Sequence, residues 1–72
     1  MKIEISNKRL DNFGRNEWDK IAVVKRLSKA FAIAKKESKK SLETEVRCID
    51  EDGDVCGHYY FRKGKQTINM SV

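Results

Sequence analysis

NEWDKIAVVKRLSKAFAIAKKESKKSL, running from Asn16 to Leu42, contains no glycine and no proline. Asn16 followed three residues later by Asp19 matches a capping box with Asp in place of Glu, so the pattern predicts a helix from about residue 17 to about residue 41. At ~1.5 Å per residue such a rod is roughly 36–39 Å long. On a helical wheel Val23, Val24, Leu27, Ala30, Phe31, Ala34 and Leu42 form one apolar stripe, which calls for a sheet to cover it. Lys25, Lys29, Lys36 and Lys40 lie opposite, with Arg26 and Lys39 on the flanks and Trp18 and Ile33 projecting among them.

On either side of this stretch the periodicity changes to two. Residues 2–6, KIEIS, alternate polar and apolar and read as a short strand. Residues 7–15 read as a loop, with Leu10 and Phe13 as apolar plugs. After the helix, strands are expected at about 43–50, 54–62 and 65–72, separated by turns at Asp52-Gly53 and Lys63-Gly64. Two-residue turns pair Val46 with Tyr59 and Cys48 with Gly57, then Tyr59 with Ile68 and Gly57 with Met70. One face is then mostly apolar, through Thr44, Val46, Cys48, Val55, Tyr59, Phe61, Ile68, Met70 and Val72. The other is mostly polar. The expected fold is α+β, a single β-α-β-β-β domain with one long amphipathic helix on a three- to four-stranded, mainly antiparallel sheet. The first strand is expected at an edge, parallel to its neighbour, because a single helix reverses the chain before the meander.

Seventy-two residues suit one small domain. No run of 18 apolar residues is present to span a membrane and no signal peptide is recognisable, so the expected location is the cytoplasm, of a host cell if the protein is viral. Two cysteines in that compartment are expected as free thiols.

The fragment CIDEDGDVCGH, Cys48 to His58, gathers potential ligands. Asp50, Asp52 and Asp54 occupy the first three ligand positions of a calcium loop, but Val55 stands where glycine is required and Phe61 where the closing glutamate belongs. Zinc lacks a fourth ligand, and in the expected register Cys48 points inward while Cys56 and His58 point out. A Cys56–His58 nucleophile has neither an orienting third group nor a pocket. The fragment therefore reads as a hairpin tip, and no cofactor, metal or catalytic residue is expected.

Charge is more informative. Residues 16–42 carry eight basic and three acidic groups, a net +5 that equals the charge of the whole chain. Residues 43–72 carry four basic and six acidic groups. This asymmetry points to an anionic partner for the helix. The expected binding residues are Lys25, Arg26, Lys29, Lys36, Lys39 and Lys40, with Ile33 among them. A secondary surface is expected on the outer sheet face at Arg47, His58, Tyr60 and Arg62, where an aromatic side chain offers a stacking partner.

No motif of a known family stands in the sequence. The expected function is a non-enzymatic binding module for nucleic acid, a nucleoprotein or an acidic protein surface. The alternative is a small inhibitor, encoded by a phage or mobile element, that blocks a host enzyme or defence complex in the manner of anti-restriction or anti-CRISPR proteins. A homodimer through Trp18, Ile21 and Ile33, or through the uncovered sheet face, is a third possibility.

Overall fold

A computed structural model describes the backbone of residues 1–71 and the side chains of residues 1–67. The chain forms β1 (Lys2–Leu10), β2 (Asn16–Val24), α1 (Leu27–Glu37), β3 (Glu43–Ile49), β4 (Val55–Arg62) and β5 (Lys65–Ser71). The strands make one sheet in the order β2-β1-β3-β4-β5, with every neighbouring pair antiparallel. The α+β class stands as expected from the sequence. Five strands replace the expected three or four, and an 11-residue helix replaces the long one.

The difference begins at residues 11–15. Asp11-Asn12-Phe13-Gly14-Arg15 closes a tight hairpin, in which the Asp11 amide donates to the Arg15 carbonyl at 2.8 Å and the Gly14 amide to the Asp11 carbonyl at 3.1 Å. The Asp11 side chain completes the turn, with Oδ1 accepting the amides of Phe13 and Arg15, both at 2.8 Å. Gly14 has φ +78°, which glycine adopts without steric cost. Residues 16–24 therefore run back along β1. There the run Ile21-Ala22-Val23-Val24 suits an extended chain better than a helix, since branched side chains pack well on a pleated surface. Leu10 and Phe13 are exposed and plug nothing.

Because β2 already reverses the chain, β1 lies inside the sheet and pairs antiparallel with both β2 and β3. The expected parallel edge position is thus corrected. The segment β2–α1–β3 becomes a crossover between two parallel strands with β1 between them.

The hairpin at Asp50–Asp54 repeats the first one. Asp50 Oδ1 accepts the amides of Asp52 and Asp54 at 3.0 and 2.9 Å, and Gly53 has φ +86°. This loop has three residues between its closing pair, not two. Cys56 absorbs the extra residue as a bulge, since Ile49 pairs with Val55 while Cys48 pairs with Gly57. Beyond the bulge the expected pairs Val46–Tyr59 and Thr44–Phe61 are present. Lys63 and Gly64 form the second turn, both with positive φ, as a two-residue hairpin requires. A bulge at Thr67 then shifts the partner of Tyr59 to Asn69 and that of Gly57 to Ser71, one place from the expected Ile68 and Met70. The inward placement expected for the side chains of Ile68, Met70 and Val72 falls outside the described side chains.

Helix α1 covers the inner face. Ala30 and Ala34 are fully buried and let its backbone approach Ile3, Ile5, Val46 and Phe61, which are also closed to solvent. Phe31 meets Tyr59 and Phe61 edge-on, with ring centroids 5.0 and 5.2 Å apart. At the helix C-terminus packing gives way to a polar network. Asn7 Nδ2 donates to Glu37 Oε1 at 3.0 Å, Thr44 Oγ1 donates to Asn7 Oδ1 at 2.6 Å, and Ser41 Oγ donates to the Glu37 carbonyl at 3.1 Å. Ser38 ties the same end to the β4–β5 turn, its carbonyl accepting from the Lys63 amide and its Oγ from the Gly64 amide.

This network joins β1, α1 and β3, and Thr44 is fully buried within it. Replacing Thr44 with the isosteric Val leaves Asn7 Oδ1 without its donor. The variant is expected to lose about 1–3 kcal/mol of stability in urea denaturation, with an unchanged dependence on denaturant.

Candidate functional site

The expected helix residues divide among three segments. Lys29 and Lys36 lie on the exposed face of α1, joined there by Lys35, which the sequence reading left out. Lys25 and Arg26 occupy the β2–α1 connection, and Arg26 is the N-cap, in extended conformation and without a side-chain capping bond. Lys39 and Lys40 lie in the turns that follow the helix. Ile33 is half-buried and packs against the core instead of projecting among the lysines.

The cations of the sheet and those of the helix differ in their partners. On the sheet, Lys2 and Lys20 pair with Glu4, Lys8 and Arg62 with Glu43, Arg47 with Glu45, and Arg9 with Glu17 and Asp19. The Lys20 ammonium, followed by the charge of Lys2, holds the Glu4 carboxyl below its ordinary pKa. Between residues 25 and 40 there are seven basic residues and one acid. Of these seven, only Lys40 has an ion pair among the described residues, with Glu37 at 3.6 Å. Lys25, Arg26, Lys29, Lys35, Lys36 and Lys39 face solvent without one.

Below the helix C-terminus Lys39 and Lys40 border a groove of about 560 Å³. Lys8, Arg9, Lys39, Lys40 and Lys63 line it together with Leu10 and Leu42, which are 53% and 51% exposed. No acidic side chain lines it among the described residues.

The outer sheet face, on the side away from α1, carries the second group. Glu45 lies at its centre, only 8% of its side chain exposed. Its carboxylate accepts from Tyr60 Oη at 3.1 Å and from Arg47 Nη2 at 3.2 Å, with His58 Nε2 at 3.6 Å. Arg62 stands further along β4 and bonds Glu43 at 3.1 Å. Arg47, His58 and Tyr60 therefore form one cluster, with Arg62 beside it.

The structure adds Trp18 to this face. Its ring centroid is 6.4 Å from that of Tyr60, which is in turn 6.0 Å from His58, and Lys8 Nζ sits 5.9 Å from the Trp18 ring. The sequence pattern places Trp18 among the helix lysines, because it assigns residues 16–24 to the helix; the structure puts it in β2, opposite Lys8. The signal that finds it is Asp11-x-x-Gly14, the same turn spacing as Asp50-x-x-Gly53.

Among the described residues no three His, Cys, Asp or Glu side chains converge as metal ligands. Asp50 is occupied by backbone amides, and both cysteines are free, Cys48 buried and Cys56 exposed. Burial, and then the charge of Cys56, raises the Cys48 thiol pKa, which keeps it protonated and unreactive. No helix among the described residues is long and apolar enough to cross a membrane. Comparison with protein-family models, curated proteins and solved structures found no match.

Burial, followed by the Glu45 carboxylate, lifts the Tyr60 phenol above the ordinary tyrosine pKa. The folded state thus holds this proton more tightly than the unfolded chain. The associated stability is present below the ordinary tyrosine pKa and is lost as pH rises through the raised one. Glu45→Gln removes the charge but not the burial, and is expected to bring the Tyr60 titration part of the way back. Phenolate absorbance, with Tyr60→Phe to assign the signal, reads that shift.

Proposed function

We propose that this protein is a non-catalytic binding module that engages the phosphate backbone of nucleic acid through the basic face of α1 and its flanking turns. The observation that carries this reading is the row of seven cations at 25–40, of which only Lys40 has an acidic partner among the described residues, beside a sheet whose cations are largely neutralised. Solvation alone accounts for lysines at the helix C-terminus, where Lys35 and Lys36 complement the helix dipole. It does not account for the other end. The first turn has no acid, and Lys25, Arg26 and Lys29 crowd the terminus at which the dipole is already positive. Such a placement costs folding free energy and creates a strongly positive end, where free backbone amides and cationic side chains both suit a phosphate.

A second reading follows from Leu10 and Leu42. Exposed leucines beside the cations of the groove suit an acidic protein surface with apolar residues, the contact that a small inhibitor of an enzyme or defence complex makes.

Charge reversal separates folding from binding. Lys29→Glu places an acid in the first turn and is expected to raise stability by about 0.3–1 kcal/mol while weakening binding to a labelled duplex. Reversing Lys29, Lys35, Lys36 and Lys39 together is expected to flatten the log–log salt dependence of affinity by roughly three to four. Duplex affinity unchanged by these four substitutions contradicts the proposal. Retention of one partner protein after nuclease treatment, lost on Leu10→Asp and Leu42→Asp, favours the second reading.

A further inference from the structure

We propose that the outer sheet face is a second binding site, distinct from α1, which takes unpaired nucleotides of single-stranded nucleic acid by stacking a base on Trp18. Trp18 is 41% exposed although it stands in the interior of a strand, so the fold leaves part of a large aromatic ring open to solvent.

The ring has two side-chain neighbours. Lys8 sits against it, and Tyr60 meets it at 57° between planes, across the two intervening strands β1 and β3. Strands are spaced about 4.8 Å apart, so three intervals separate β2 from β4 by roughly 14 Å in a flat sheet. The two rings nevertheless come to 6.4 Å, and the row of Tyr60 continues through Glu45 to Ser6, the smallest outward side chain of β1. His58 extends the row by a further 6.0 Å, so three aromatic rings cross the face from β2 to β4. The hydrogen bond from Tyr60 to Glu45 keeps that ring in place at the centre of the row.

The polar groups around the row suit an oligonucleotide. Its three acids are already engaged: Glu4 by Lys2 and Lys20, Glu43 by Lys8 and Arg62, and Glu45 by Arg47 and Tyr60. Five cations therefore surround three neutralised carboxylates. Arg47 Nε and His58 Nε2 are buried nitrogens without a hydrogen-bond partner among the described residues, and His58 Nε2 faces Glu45 at 3.6 Å, so the exposed Trp18 ring is the part of the row open to a base. Aromatic side chains flanked by cations on an exposed sheet are the means by which proteins hold unstacked bases, and every base offers a face to stack. A duplex keeps its bases stacked inside and leaves Trp18 without a partner. The single-stranded class follows from that.

Trp18 is the single tryptophan of the chain, so its emission reports on the site directly. A short oligothymidylate is expected to quench that emission. An oligomer of the same length with abasic residues is expected to leave it unchanged, since it offers phosphates alone. Measured by anisotropy of a labelled oligothymidylate, Trp18→Ala is expected to weaken binding about 5- to 150-fold, and Trp18→Phe by much less, because a phenyl ring still stacks. Reversal of Lys29, Lys35, Lys36 and Lys39 is expected to leave the quenching in place at low salt, which separates this site from the helix. Emission indifferent to oligothymidylate, equal quenching by the abasic oligomer, or unchanged affinity of Trp18→Ala each overturns the proposal. A protein partner that quenches Trp18 where oligothymidylate does not overturns it as well.

Discussion

The carboxylate of Asp11, accepting two backbone amides at 2.8 Å, is the constraint on which the rest of the chain depends. Those hydrogen bonds, first that from Arg15, hold its pKa below the ordinary value, as expected of a carboxylate that serves the backbone as an acceptor. By closing the first hairpin it places β2 along β1 and moves β1 from the edge of the sheet to its interior. Ile3 and Ile5 then gain a strand on each side and a helix above, and both are fully buried. The helix can begin only after β2 ends, which shortens it to three turns and leaves Lys25 and Arg26 in the connection. Trp18 is carried to the far side of the sheet, opposite α1.

The second half of the chain was largely legible in the sequence, because there turn chemistry and alternation agree. Asp52-Gly53 and Lys63-Gly64 mark the turns, and Val46, Cys48, Tyr59 and Phe61 alternate with polar neighbours. The loop at Asp50–Asp54 is one residue longer than read, and the bulge at Cys56 restores the register, so two departures cancel. The first half was misread because two patterns compete in residues 16–24. Asn16 and Asp19 imitate a capping box, and the apolar residues from Val23 onward continue smoothly into a true helical stripe. Local propensity pointed the other way, through Ile21, Val23 and Val24, and Asp11-x-x-Gly14 carried the turn signal. A helix wheel also places Ile33 among the lysines, whereas the actual axis turns it toward the core.

For the candidate surfaces the consequences are unequal. The basic stretch 25–40 keeps its charge whatever its secondary structure, so its residues were visible in the sequence, apart from the added Lys35. The outer face was only half visible. Arg47, His58 and Tyr60 follow from the β3–β4 register, but Trp18 and Lys8 come from strands that the sequence reading had made a helix and a loop. Aromatic rows depend on partners from distant strands, and no single segment discloses them.

A division of labour between the two sides of the sheet emerges from this arrangement. The sheet face neutralises its charges across strands, which stabilises the fold and frames the aromatic row. The helix side leaves all but Lys40 of its cations unmatched among the described residues, at some cost to helix stability, where a polyanion can match them. Amide chemical-shift mapping during titration with a short duplex tests this division most directly. Changes concentrated in residues 25–40 and around Lys63 are the predicted result, with the Trp18 indole signal undisturbed; changes absent from that stretch, or strongest on the outer sheet face, would contradict it.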